Sequence, residues 1–201
     1  MRDPRQPNNR AVPLRTRSAR ANLRRWITLG VVLTMTVVVS ACTGQTPVAP
    51  HVIQVFAPDQ RQAAPHVRGD LLDGTGLYDL KQHAGQVVVI NFWASWCAPC
   101  VAEAPELEAT YQSQKANGVA FLGINVRDET DSARRFAELH NTYPSVIDTS
   151  SRLALGFAVQ PNAIPATIII DRQGRIAAVV RAAVVQVEFE PVLAELAAEA
   201  P

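Results

Sequence analysis

Cysteine is scarce in this chain, with three in 201 residues: Cys42, Cys97 and Cys100. So few thiols exclude the disulfide-dense scaffolds that support small secreted domains with thin cores. Histidine is hardly more abundant. His51, His66, His83 and His140 show no paired spacing, whereas a structural zinc site needs four Cys or His ligands, commonly in close pairs. No metal and no cofactor is therefore expected, and each histidine reads as a surface or half-buried residue. Internal repeats and low-complexity segments are absent, and the strongly apolar stretch Ile27–Val39 falls short of the roughly 20 residues of a membrane-spanning helix.

That stretch has a definite context. Residues 1–25 carry eight arginines against one acid, Asp3, and "WITLGVVLTMTVVVSAC" then runs uncharged into Cys42. A basic region, an apolar region and a small-residue cut site follow in the order of a secretory signal. "VSAC", Val39–Cys42, resembles the bacterial lipobox, which implies cleavage before Cys42 and lipidation of its thiol. The other readings are an uncleaved anchor or a plain secretory cut, and Arg24–Arg25 raises twin-arginine export beside the general route. All of them place the remainder outside the cytoplasm, and lipidation places it on the extracytoplasmic face of the bacterial cell membrane. Removing the leader takes eight of 19 basic and one of 18 acidic side chains, leaving 11 and 17, a net charge of −6. An acidic domain with scattered Lys and Arg offers nothing to nucleic acid.

The organisation expected is a signal peptide over residues 1–41, a lipidated N-terminus and flexible tether over 42–66, and one domain over 67–201. Pro47, Pro50, Pro58 and Pro65 break the tether, where only "HVIQVF" alternates. Beyond it, "DLLDGTGLYDL" carries a Gly-rich turn at Asp73–Gly76 between short extended pieces, a hairpin signal. "QVVVINFWA" is a continuous apolar, β-branched run, as in a strand buried on both faces. From Cys97 onward Val101, Ala104, Leu107 and Tyr111 recur at helical spacing. "GVAFLGINV" predicts a second buried strand, and Ala133, Phe136, Ala137 and His140 share one face of a following helix. "SVIDTS" predicts a short strand and "SRLALGFAV" a short helix. "ATIIIDRQGRIAAVV" predicts two strands about a tight turn at Arg172–Gly174, and "FEPVLAELAAEA" a last helix with Pro191 near its first turn. The fold class is α/β, a mixed sheet with helices on its faces.

Cys97 and Cys100 stand at i and i+3 where strand gives way to helix, so their sulfurs can reach disulfide distance. The helix N-terminus favours a thiolate on the first. Cys97 is then the exposed nucleophile and Cys100 the buried resolving thiol, exchanging through a mixed disulfide. A metal site lacks further ligands, and a staple closing so small a loop would constrain the unfolded chain weakly.

"NFWASWCAPC" resembles the thioredoxin superfamily. "VVVINFWASWCAPCVAEAPEL" together with "VAFLGINVRD", "AIPATIIIDRQGRI" and the acidic C-terminal helix resembles its membrane-tethered, extracytoplasmic TlpA/ResA-like branch, from about Arg68 to Ala198. The resemblance implies a thioredoxin-like fold with an N-terminal β-hairpin and a central strand-helix insertion from Arg127 to about Val159. It implies Cys97 as attacking and Cys100 as resolving cysteine, and Trp96 as the aromatic bordering the site. Pro105 matches the proline of the first helix. Pro165 matches a cis-proline beside the disulfide, with Ile164 pairing its backbone to an extended substrate. Two positions depart from the pattern. Asn91 stands where cytoplasmic thioredoxins keep a buried aspartate, leaving Glu103, Glu106 or water to take the proton of Cys100. Ala98 and Pro99 occupy the interval where some cytochrome-maturation members carry an acid.

Potentials on this fold run from about −270 to about −120 mV, tuned by the residues between the cysteines and the one before the cis-proline. Ala98, Pro99 and Ile164 look like the reducing end. The resemblance thus implies an enzyme, a thiol–disulfide oxidoreductase, reducing protein disulfides such as those of apocytochrome c and rearmed by a membrane electron donor. The alternatives are an oxidase or general exchange protein for secreted substrates, a thiol peroxidase, which would want a Thr-x-x-Cys site, and a copper-delivery lipoprotein, which would want wider cysteine spacing and a downstream histidine.

Overall fold

A computed structural model describes residues 53–199. The signal peptide, Cys42 and the first part of the tether lie outside the described residues.

The uninterrupted apolar run of the sequence becomes β4, Val87–Trp93, with all seven residues buried. It pairs in parallel with β5, Val119–Val126, and antiparallel with β7, Ala166–Ile170. β6, Ser145–Asp148, extends the sheet beyond β5, and β8, Ile176–Val180, extends it beyond β7; with the edge strand β1, Ile53–Val55, the order is β1-β8-β7-β4-β5-β6. Because side chains alternate across a strand, Val88, Ile90 and Phe92 enter one core with Leu122, Ile124 and Ile168. Val87 and Val89 enter the other, with Leu107, Phe189 and Leu193. Each such side chain contributes roughly 1.5–3 kcal/mol by leaving water. Asn91 and Trp93 continue the second parity, so a polar amide is delivered into an apolar layer.

Helix α1, Ala98–Gln114, and α4, Gln186–Ala198, cover that second face. Helix α2, Thr130–His140, and the single turn α3, Arg152–Gly156, belong to the insertion. The expected hairpin is present as β2, Arg68–Asp70, against β3, Leu77–Asp79, with Gly74 at φ 78° in its turn. The architecture is the expected mixed sheet between helices.

Three expectations are corrected. The tether does not extend to residue 66: Ile53–Val55 forms β1, antiparallel to β8. The following coil is fixed by bonds from the Ala64 N–H to the Gly174 carbonyl and from the Ile176 N–H to the Gln62 carbonyl. Of the prolines that read as tether, Pro58 falls between these bonded positions and Pro65 directly follows them. The last helix starts at Gln186 rather than Phe189, placing Pro191 in its interior. Its start is hidden in sequence because Glu106, on α1, accepts the Gln186 N–H at 2.9 Å and does the work of a cap. On α1, Val101 is exposed, and the buried stripe runs Cys100, Glu103, Ala104, Leu107 and Thr110, two of them polar.

Candidate active site

The chain leaves β4 at Trp93 and reaches α1 four residues later, with Cys97 as its N-cap. Cys97 and Cys100 are joined by a disulfide, their Cα atoms 5.2 Å apart. The Cys100 N–H donates to Cys97 Sγ at 3.3 Å, so a free donor of the helix's first turn addresses the sulfur. Both cysteines are buried, Cys97 at 5% exposure and Cys100 at 2%. The expectation of an exposed Cys97 is thus corrected for the disulfide form, because its Sγ lies only 3.7 Å from the Ile164 carbonyl oxygen. Ala98 and Pro99 are exposed, and Trp96 stands 56% exposed beside them.

The Ile164–Pro165 peptide is cis. Pro165 is buried and Ile164 half-buried, the latter packed against the cluster of Leu72, Trp93, Ala94, Cys97, Cys100 and Ala133 under the site. Cys97, Cys100, Trp96, Ala98, Pro99, Ile164 and Pro165 therefore cluster at one end of the sheet, where β4 finishes and β7 begins. Cys42 lies outside the described residues.

Beneath the cysteines sits a polar group that the sequence offered only as one of two guesses. Glu103, one turn below Cys100 on the same face of α1, is buried at 2% exposure. Its Oε1 accepts from Asn91 Nδ2 at 2.8 Å and its Oε2 from the Val184 N–H at 2.9 Å. Asn91 also donates to Thr167 Oγ1 at 3.1 Å. Burial pushes the Glu103 carboxyl up to about 7, against the opposing pull of the Val184 N–H and Asn91. Asn91 thus does not replace an acid; it holds one that reaches the same space from the helix. Glu106, the other guess, is committed to the start of α4.

The insertion supplies the site's outer wall. The Trp96 indole N–H donates to the Arg127 carbonyl at 3.1 Å, and Asp128 accepts from both the N–H and the hydroxyl of Ser95. Sequence reading passed over Arg127 and Asp128 because their bonding depends on β4 and β5 being neighbours. Among the described residues no group of three His, Cys, Asp or Glu side chains is placed to hold a metal ion. No described helix is long and apolar enough to cross a membrane.

A family model described as the AhpC/TSA family matches residues 60–179, more than half of the chain. The chain belongs to the AhpC/TSA family. It is 32% identical over 112 residues to the thiol-disulfide oxidoreductase ResA of Geobacillus kaustophilus, covering 55% of this chain and 63% of that one. It is 34% identical over 116 residues to the thiol:disulfide interchange protein HelX of Rhodobacter capsulatus, covering 56% and 62%. The chain thus spans less than two thirds of the length of these curated relatives. Among solved structures, a secreted thiol-disulfide isomerase from Corynebacterium glutamicum superposes with a TM-score of 0.69 at 33% identity, over 77% of this chain and 96% of that one. The fold is thioredoxin-like in these neighbours and in this AhpC/TSA member alike.

Proposed function

We propose that this protein is an extracytoplasmic thiol–disulfide oxidoreductase in which Cys97 and Cys100 exchange a dithiol for a disulfide with protein substrates. The observation that carries the reading is the Cys97–Cys100 disulfide at the mouth of α1, backed by buried Glu103 and faced by the Ile164–Pro165 peptide. The names of the relatives, a thiol-disulfide oxidoreductase and a thiol:disulfide interchange protein, support it. The word secreted in the name of the Corynebacterium structure supports the location, as does the leader over residues 1–41 that stops just before Cys42, through which a lipid anchors the domain at the membrane.

In the reducing direction the Cys97 thiolate attacks one sulfur of a substrate disulfide, and the other substrate sulfur leaves as a thiolate and takes a proton. Cys100 then gives its proton to the Glu103 carboxylate and attacks Cys97. The second substrate sulfur departs, the Cys97–Cys100 bond closes, and two electrons have passed to the substrate. A carboxyl near neutrality can both receive and return that proton. Ile164 offers backbone to an extended chain beside the disulfide, and Ala98, Pro99 and Trp96 form the surface around it.

The substrate we infer is an oxidised cysteine pair, of the kind that must be reduced in apocytochrome c before haem attachment, with re-reduction by a membrane electron donor. A second reading, general exchange or oxidation of secreted proteins, is favoured by the likeness to an isomerase. The reduction potential of the full-length protein separates them. A value below about −200 mV is expected of the reductase, and a value well above it would overturn that direction in favour of the second reading.

A further inference from the structure

Trp93 and Asn125 are register partners at the ends of the paired strands β4 and β5, so the segments that follow, Ala94–Cys97 and Arg127–Glu129, leave the sheet side by side. One carboxylate joins them. Asp128 Oδ2 accepts from the Ser95 N–H at 2.5 Å and from Asn125 Nδ2 at 2.9 Å. Its Oδ1 accepts from Ser95 Oγ at 2.8 Å and from the Glu129 N–H at 2.8 Å. Two of these four donors belong to the residue two before Cys97.

Arg127, next to it, has φ 49°, in the left-handed region that a side chain with a Cβ rarely occupies. Such a conformation persists where its surroundings over-determine it. Here the Arg127 carbonyl receives the Trp96 indole N–H at 3.1 Å, and the Arg127 N–H donates to the Asp148 carbonyl at 3.4 Å. The turn therefore grips Ser95 by its backbone and hydroxyl, and Trp96 by its ring.

The geometry points to Asp128 and Arg127 as positioning residues for Cys97: together they fix the Ser95–Trp96 segment, and through it the line of approach to the attacking sulfur and the orientation of the Trp96 ring. This deepens the function proposed above and rests on Cys97 being the attacking thiol. Thiolate attack is sensitive to alignment, and a displacement of about 1 Å costs up to about a hundredfold in rate. A residue that only capped α2 would change stability and leave Cys97 alone. A residue that acted only by its negative charge would, on removal, make the Cys97 thiolate easier to form.

The test uses the reduced full-length protein and its variants Asp128→Ala, Asp128→Asn, Arg127→Val and Arg127→Gly. It reads the rate of exchange with a disulfide-bonded peptide, the pH profile of Cys97 alkylation by iodoacetamide, and the Trp96 indole N–H resonance. Asp128→Ala and Arg127→Val are expected to slow exchange on the order of tenfold or more, raise the alkylation midpoint and move the indole resonance upfield. Arg127→Gly keeps the left-handed backbone at no steric cost and rescues what Arg127→Val loses, while Asp128→Asn falls between. Exchange rates and alkylation midpoints at wild-type values in Asp128→Ala and Arg127→Val overturn the proposal, and so does a downward midpoint. Should Asp128→Ala not fold, Asp128→Asn and Ser95→Ala carry the comparison, with wild-type values again overturning it. Exchange that survives Cys97→Ser would instead remove the assignment of the nucleophile, an outcome distinct from any of these.

Discussion

Glu103 is placed where its two protonation states cost different amounts. In the unfolded chain it titrates at its ordinary value of 4.5, and burial in the fold raises it to about 7. The folded protein therefore holds a proton between those values that the unfolded chain has released. Its contribution to stability is full below about 4.5 and is lost as pH rises through about 7, a swing of about 3 kcal/mol. Glu103→Gln removes that dependence: its amide can accept the Val184 N–H and donate to a flipped Asn91. Denaturant midpoints should then show the variant gaining on the wild type between pH 5 and pH 8. If Glu103 also takes the Cys100 proton, the same variant loses about a hundredfold or more in exchange rate at neutral pH. A variant that keeps both the wild-type pH dependence and the wild-type rate contradicts both roles.

At the scale of elements, β1 and the coil after it are held by pairing with β8, by Ile53, Phe56 and Ala64 packed on the two cores, and by the buried Arg61. Arg61 is buried, donates to the Phe56 carbonyl at 3.1 Å, and pairs with Asp171 at 3.2 Å and with Glu199 at 2.7 Å through its second amine. Burial pushes the Asp171 carboxyl up, but bonds from Arg175 and Arg61 outweigh it and leave it below its ordinary 3.8. The Arg61 bond holds Glu199 below 4.5. Both depressed groups contribute stability that is present above those ordinary values and lost as pH falls through the lowered ones. Arg61→Ala should cost roughly 3 kcal/mol, since it takes from the buried Asp171 one of the two guanidinium groups paired with it. An unchanged denaturant midpoint at pH 7 would contradict that account. Distance along the chain explains what sequence could not show. β4, β5, the β7–β8 hairpin and α2 were legible because hydrophobic period and turn residues are local. β1 and the start of α4 were not, because their partners, β8 for β1 and Glu106 for Gln186, are far away in the chain. At the site, Cys97, Cys100, Trp96 and Pro165 were legible from spacing and resemblance. Glu103 was only one of two guesses, because an acid two positions from Pro105 on an apolar helix reads as a surface residue until Asn91 is seen opposite it.

Among the described residues as a whole, the cysteine pair, the cis peptide and the Arg127–Asp128 turn all lie at one end of the sheet, while Arg61 ties the coil after β1 to Asp171, just beyond β7, and to Glu199, just beyond α4. In the proposed reaction Cys97 attacks and Cys100 resolves. Its most direct test is Cys100→Ser in the native cell envelope, analysed with and without reductant beside the double variant that also carries Cys97→Ser. Mixed disulfides are expected to accumulate in Cys100→Ser, dissolve on reduction and vanish in the double variant, with exchange abolished by Cys97→Ser alone. Exchange that persists in Cys97→Ser, or adducts that form without Cys97, would contradict it.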